Sequence, residues 1–138
     1  MIMNWRRGVA AAVALIALCG TAQADILTAG PLYGGAGQLN GKVICWLFNT
    51  GSSTVTVSSR QIFSTDGGFT NLSVTPTSDG CRNPLGAEKG CQFSAPTGGA
   101  AVAFTCRAVI SGAEENVGGT MQILSPTSQL LVSIPIKK

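Results

Sequence analysis

A chain of 138 residues with 11% charged residues, five cysteines and no histidine lacks much of the usual equipment for acid–base catalysis. Without histidine there is no Ser-His-Asp or Cys-His arrangement, and the commonest general base and metal ligand are missing together. The formal net charge of +3 offers no broad basic surface for nucleic acid.

The first element is an address. MIMNWRR is a basic n-region, Val9 to Cys19 is a short apolar core, and Thr21-Ala22-Gln23-Ala24 ends in an A-x-A pattern. That order predicts a secretory signal peptide over residues 1–24, cleaved after Ala24, with a core too short to span a bilayer. A lipoprotein signal acylated at Cys19 is the weaker reading, because Leu18 stands where a small residue is usual. Cleavage leaves residues 25–138, enough for one exported domain. It also removes Arg6 and Arg7, so seven basic residues face six acidic ones and the net charge falls to +1. No second long apolar stretch follows, so no transmembrane segment is expected after cleavage.

Asp25 to Gly41, with PLYGGAGQLNG, reads as an entry segment of turn chemistry. Lys42 to Asn49 is the first strand, and it is apolar on both faces: Cys45 and Leu47 on one, Ile44, Trp46 and Phe48 on the other. NTGSS (49–53) reads as a hairpin-like connection, with Gly51 free to take positive φ. Thr54 to Phe63 alternates through Val55 and Val57, then loses parity around Ser59 to Gln61, where a bulge is expected. TDGGF turns the chain, Leu72 to Val74 is a short strand, and Thr77 to Pro96 is mainly loop with a short strand at GCQF (90–93).

Ala100 to Ser111 is the second strong strand, with Val102, Phe104, Cys106, Ala108 and Ile110 on one face. Gly112 to Asn116 turns the chain, Gly119 to Leu124 is a strand, and SPTS (125–128) turns it again. Gln129 to Ile136 closes the domain with Leu130, Val132, Ile134 and Ile136 aligned; Pro135 places that strand at an edge. No segment has sustained helical periodicity. Six or seven short strands predict an all-β fold, a single antiparallel β-sandwich of immunoglobulin-like architecture with two disulfides.

Four cysteines remain after cleavage, Cys45, Cys81, Cys91 and Cys106, separated by 35, 9 and 14 residues. An even count in a short exported chain reads as two disulfides rather than a zinc site. Cys45 and Cys106 both sit on core-facing strand positions, so a bond between them is geometrically sensible, and Cys81–Cys91 would then close its own loop. The two other pairings remain open.

CWLFNTGSSTVTV (45–57), GCQFSA (90–95), FTCRA (104–108) and GGTMQIL (118–124) resemble small, functionally uncharacterised, signal-peptide-bearing secreted β-proteins of proteobacteria. The resemblance implies a disulfide-bonded β-domain and transfers no active residues. True immunoglobulin domains fit less well, since Trp46 adjoins the first cysteine instead of lying a strand later.

Each candidate chemistry has a plainer reading. A Ser–Lys pair would need Lys42 or Lys89, which read as solvated side chains beside turns. Asp66, Asp79, Glu88, Glu114 and Glu115 all fall in expected turns, and a glycosidase needs two carboxyls facing one cleft. GGAGQLNGK (34–42) departs from the phosphate-loop pattern at Ala36 and Val43. Asn71-Leu72-Ser73 matches a glycosylation sequon, incidental in a bacterial export setting. The CRNPLGAEKGC loop (81–91) reads as a stabilising clip, with a recognition loop as the alternative.

What remains is the second apolar face of the first strand. Either the entry segment covers it through Ile26, Leu27, Leu32 and Tyr33, or Ile44, Trp46 and Phe48 form an interface with another chain. The expectation is an exported, non-catalytic structural or protein-binding domain without cofactor or metal, located in the periplasm or outside the cell. Its partner would be a protein or envelope component, not nucleic acid, and an oligomer is allowed. The alternative is a subunit of a fimbria-like or other surface assembly; a small hydrolase ranks last.

Overall fold

The computed structural model describes residues 24–33, 41–65, 71–82, 84–98, 103–112 and 114–138. Among the described residues nine strands follow in chain order: β1 (Asp25–Tyr33), β2 (Lys42–Asn49), β3 (Thr56–Thr65), β4 (Asn71–Val74), β5 (Ser78–Asp79), β6 (Gly90–Pro96), β7 (Ala103–Ser111), β8 (Val117–Leu124) and β9 (Leu130–Ile136). The only helical element among the described residues is a 3₁₀ turn at Glu114–Asn116, and no helix there is long and apolar enough to cross a membrane. The predicted signal segment lies outside the described residues up to residue 23, as do Val102 and Asp66.

Two antiparallel sheets pack face to face. One has the order β1-β7-β3-β4, the other β5-β6-β2-β8-β9. The fold is the expected antiparallel sandwich, with more strands than the six or seven anticipated. The two additional ones, β1 and β5, come from segments read as turn or loop. β1 forms from the entry segment, because Leu27 and Ala29 alternate into the core and a register shift between Ala29 and Leu32 brings Leu32 inward as well. β6 runs to Pro96 rather than ending at Phe93, because Phe93 and Ala95 are both fully buried. β5, only two residues long, pairs with β6.

The core is the layer between the sheets. β7 supplies Phe104, Cys106, Ala108 and Ile110 by strict alternation, and β2 supplies Val43, Cys45 and Leu47. In β3 the register shifts between Val57 and Ser59. This is the anticipated bulge, and it moves the inward set from Val57 to Ile62, so both are buried despite opposite parity. β9 lies at a sheet edge, as Pro135 requires. Val132, Ile134 and Ile136 face inward along it, but Leu130 is exposed, because the β8–β9 register shifts between Ile123 and Leu124.

Both flanks of the sandwich are tied across. On one, Thr28 and Lys137 exchange two backbone hydrogen bonds at 2.8 and 2.9 Å, joining β1 to the end of β9, and Asp25 pairs with Lys138. On the other, Val55 and Leu85 exchange bonds at 3.0 and 2.8 Å. Cys45–Cys106 joins interior strands of opposite sheets, with Cα atoms 6.0 Å apart. Cys81–Cys91 closes its local loop at a Cα separation of 5.1 Å.

The NTGSS segment does something other than expected. β2 and β3 lie in different sheets, so it is a crossover and not a hairpin. Asn49, only 1% exposed, organises it. Its Nδ2 donates to the carbonyls of Ser53 (2.7 Å), Leu85 (3.2 Å) and Gly86 (3.1 Å), and its Oδ1 accepts the Gly51 N–H (3.0 Å). This Asx-type turn redirects the chain. Gly51 does not use its freedom to take positive φ; its need is space, since a Cβ there would come 2.9 Å from the Asn116 Cβ.

Candidate binding face on the five-stranded sheet

β2 is the central strand of its sheet and carries Ile44, Trp46 and Phe48 on the outer side, away from the core. The described part of the entry segment does not cover them. β1 belongs to the opposite sheet, where Leu27 and Leu32 are buried in the core and Ile26 and Tyr33 are exposed. The reason is pairing: β7 offers β1 a free ladder edge and a buried apolar face, a better home than the outside of the other sheet.

The three side chains differ in exposure. Ile44 is buried, Trp46 is half-buried and Phe48 is 44% exposed. The Trp46 and Phe48 rings lie parallel, 10° between planes and 6.2 Å between centroids. The Trp46 indole N–H donates to Gln122 Oε1 on β8 at 3.1 Å, which fixes the indole in place.

Ladder register sets their neighbours. Trp46 lies between Gln92 on β6 and Thr120 on β8, and Phe48 lies between Gly90 and Gly118. The two glycines act differently. A Cβ at Gly90 would come 3.0 Å from the Phe48 ring, so the ring rests on that bare backbone. A Cβ at Gly118 would meet nothing within 4 Å, so the other side of Phe48 is open. At the Ile44 end the face is closed: Ser94, opposite Ile44, is fully buried, and its Oγ has no hydrogen-bond partner among the described residues.

A groove of about 460 Å³ continues from Phe48, lined by Asn49, Thr50, Glu88, Lys89 and Gly90. The backbone N–H of Asn49 donates to the Lys89 carbonyl at 2.9 Å, tying the stapled 81–91 loop to the end of β2. Glu88 sits at φ 55° in the turn of that loop.

The carboxylates do not share one setting. Asp79, expected in a solvated turn, lies in β5 with its side chain 12% exposed and pairs with Arg60 at 2.8 Å. Its other oxygen accepts the Cys81 N–H at 2.9 Å. Glu115 is exposed and accepts from the Asn116 amide at 3.1 Å. Among the described residues no three acidic or cysteine side chains cluster as a metal site would require. Lys42 and Lys89 are both exposed.

Sequence reasoning found the aromatic pair but missed its polar frame. Alternation through GGTMQIL and GCQFSA would have placed Thr120, Gln122 and Gln92 on one side had β6 and β8 been set beside β2. Fold and site together define an all-β, two-sheet sandwich fastened by two disulfides, with an aromatic pair outward on its central strand. Comparison with known protein families, with curated proteins and with solved structures returns no match.

Proposed function

We propose that this is an exported, non-catalytic binding domain that holds a protein or envelope component against the outer face of β2. The observation that carries the reading is the Trp46–Phe48 pair. Two parallel rings stand at the centre of a sheet, one of them 44% exposed, where a sheet needing no partner would carry polar residues. Two disulfides suit an oxidising compartment, which agrees with the basic, apolar and A-x-A segments at the start of the chain. The missing histidine and the ion-paired Asp79 leave little for an enzymatic reading to use.

Assembly into a surface polymer by strand donation is less well supported. It would call on Asp25–Tyr33 as a spare segment, and that segment is already paired with β7 as β1. The test is co-purification of the tagged protein from its native envelope, with gel filtration of the same sample. The reading expects a monomer that remains with the envelope fraction and a Phe48→Ala variant that is released from it. Undiminished envelope association of a folded Phe48→Ala protein would refute it.

A further inference from the structure

Resting on the export reading, we infer that the fold sets the order of maturation: the signal peptide over residues 1–24 is cut off before β1 docks. A chain that closes first locks the Ala24–Asp25 bond away from the peptidase and keeps its signal peptide.

The cut falls at the very start of a strand. Ala24 is exposed, but β1 begins at the next residue. Asp25 lies opposite Ile110, Ile26 opposite Val109 and Leu27 opposite Ala108 in the ladder with β7. Just beyond, the other edge of β1 is taken as well, because Thr28 exchanges backbone hydrogen bonds with Lys137 at 2.8 and 2.9 Å. Asp25 itself is ion-paired with Lys138.

A peptidase takes its substrate as an extended strand and bonds the backbone on both sides of the scissile amide. Water then adds across that amide, leaving a carboxylate on Ala24 and an amine on Asp25. In the closed sandwich the Asp25 side of the bond is already paired with β7. Freeing it withdraws Leu27, 1% exposed, from the core. The transfer free energy of one leucine side chain puts such an open form at roughly one part in ten to one in a hundred. Cleavage follows the population of the open form, so closure slows it by at least that factor.

Chain order supplies the interval in which the cut is made. β1 comes first, whereas β7 and the Lys137 end of β9 come late in the chain. A chain that emerges signal peptide first shows the Ala24–Asp25 bond until β7 has followed, and contacts this distant in sequence form slowly. Cys106 delays closure further. It stands opposite Ala29 on β7 and belongs to the core disulfide, and disulfide formation takes on the order of seconds to hours.

The experiment uses the full chain, residues 1–138, as Cys19→Ser, so that only the four paired cysteines remain. One sample is oxidised and folded before it meets signal peptidase in detergent micelles; another is reduced and alkylated. A third, folded like the first, carries a flexible Gly/Ser spacer of about ten residues after Asp25. The spacer keeps the immediate neighbours of the cut and moves the rest of β1 away from it. Release of a chain starting at Asp25 is followed by mass. The alkylated chain and the spacer variant are expected to be cut at similar rates, and the folded parent at least about tenfold more slowly. Equal rates for the folded and alkylated chains overturn the inference, as does a folded spacer variant cut no faster than the folded parent. An alkylated chain that is not cut after Ala24 overturns the export reading, and the order of maturation with it.

Discussion

Arg60 Nε donates to Asp79 Oδ2 at 2.8 Å, joining β3 of one sheet to β5 of the other. The same guanidinium donates through Nη1 to the carbonyls of Val57 (2.9 Å) and Cys81 (3.3 Å), so one side chain ties the bulge of β3 to the start of the stapled loop. Arg60→Ala is expected to cost roughly 2 kcal/mol, the scale of a partly buried charge-assisted hydrogen bond. Asp79→Asn should cost less, because Oδ1 can still accept the Cys81 N–H. Urea unfolding of both single variants and the double variant gives the coupling. A coupling near zero would reduce the pair to a surface contact.

Asn49 is the polar group on which the β2–β3 crossover depends. Asn49→Leu leaves three carbonyls and the Gly51 N–H without their partner, and a loss of roughly 3 kcal/mol is expected. Asn49→Asp keeps the shape but turns an acceptor toward those carbonyls, so it should be at least as damaging. Denaturant melts of both variants decide; an Asn49→Asp protein as stable as the parent would contradict the bonding described.

The two disulfides should be distinguishable by access and by worth. Cys45 and Cys106 are both fully buried, whereas Cys91 is only half-buried. Mild reductant should therefore open Cys81–Cys91 first, as read by alkylation and peptide mapping. Removing Cys45–Cys106, which spans 61 residues, is expected to cost about 4 kcal/mol, and removing Cys81–Cys91, which spans 10, about 3 kcal/mol on the loop-entropy account.

Two glycines provide an opposed pair. Gly30 has φ 120°, and a Cβ there would fall 2.6 Å from the Phe104 carbonyl oxygen, so Gly30→Ala should destabilise by more than about 1 kcal/mol. Gly118→Ala enters open space at ordinary strand dihedrals and should be neutral to slightly stabilising, within about 0.5 kcal/mol. Thermal melts of the two proteins side by side test both.

The elements most legible in the sequence are those with a clean period. β2 and the strand carrying Cys106 alternate visibly, and the lost parity near Ser59 marked the β3 bulge because adjacent Ile62 and Phe63 cannot both face inward on a regular strand. β1 was hidden by Gly30 and Pro31, whose turn chemistry outweighed the short alternation of Leu27 and Ala29 and put Leu32 out of phase with it. The crossover at Asn49 looked like a hairpin because local turn signals do not say which sheet the next strand joins. Asp79 looked solvated because its partner Arg60 is 19 residues away. The aromatic pair could be read from spacing, but the outcome for its outer face depended on which sheet β1 would enter. That choice is made by long-range pairing with β7, beyond the reach of any local pattern.

The seam between Thr28 and Lys137 also determines how the domain would bear a mechanical load. Asp25 and Lys138 leave the same end of that antiparallel bridge, so tension applied at these two residues opens its hydrogen bonds in turn, like a zipper. Peeling then runs along β1 and β9 until it meets Cys45 and Cys106, and there it stops. With the span between those cysteines sealed, the stretch from Asp25 to Lys138 extends to roughly 180 Å, where an unbridged chain would reach roughly 390 Å. The sandwich would therefore yield early under load, but its reach under tension is limited by one covalent bond through the middle of its core.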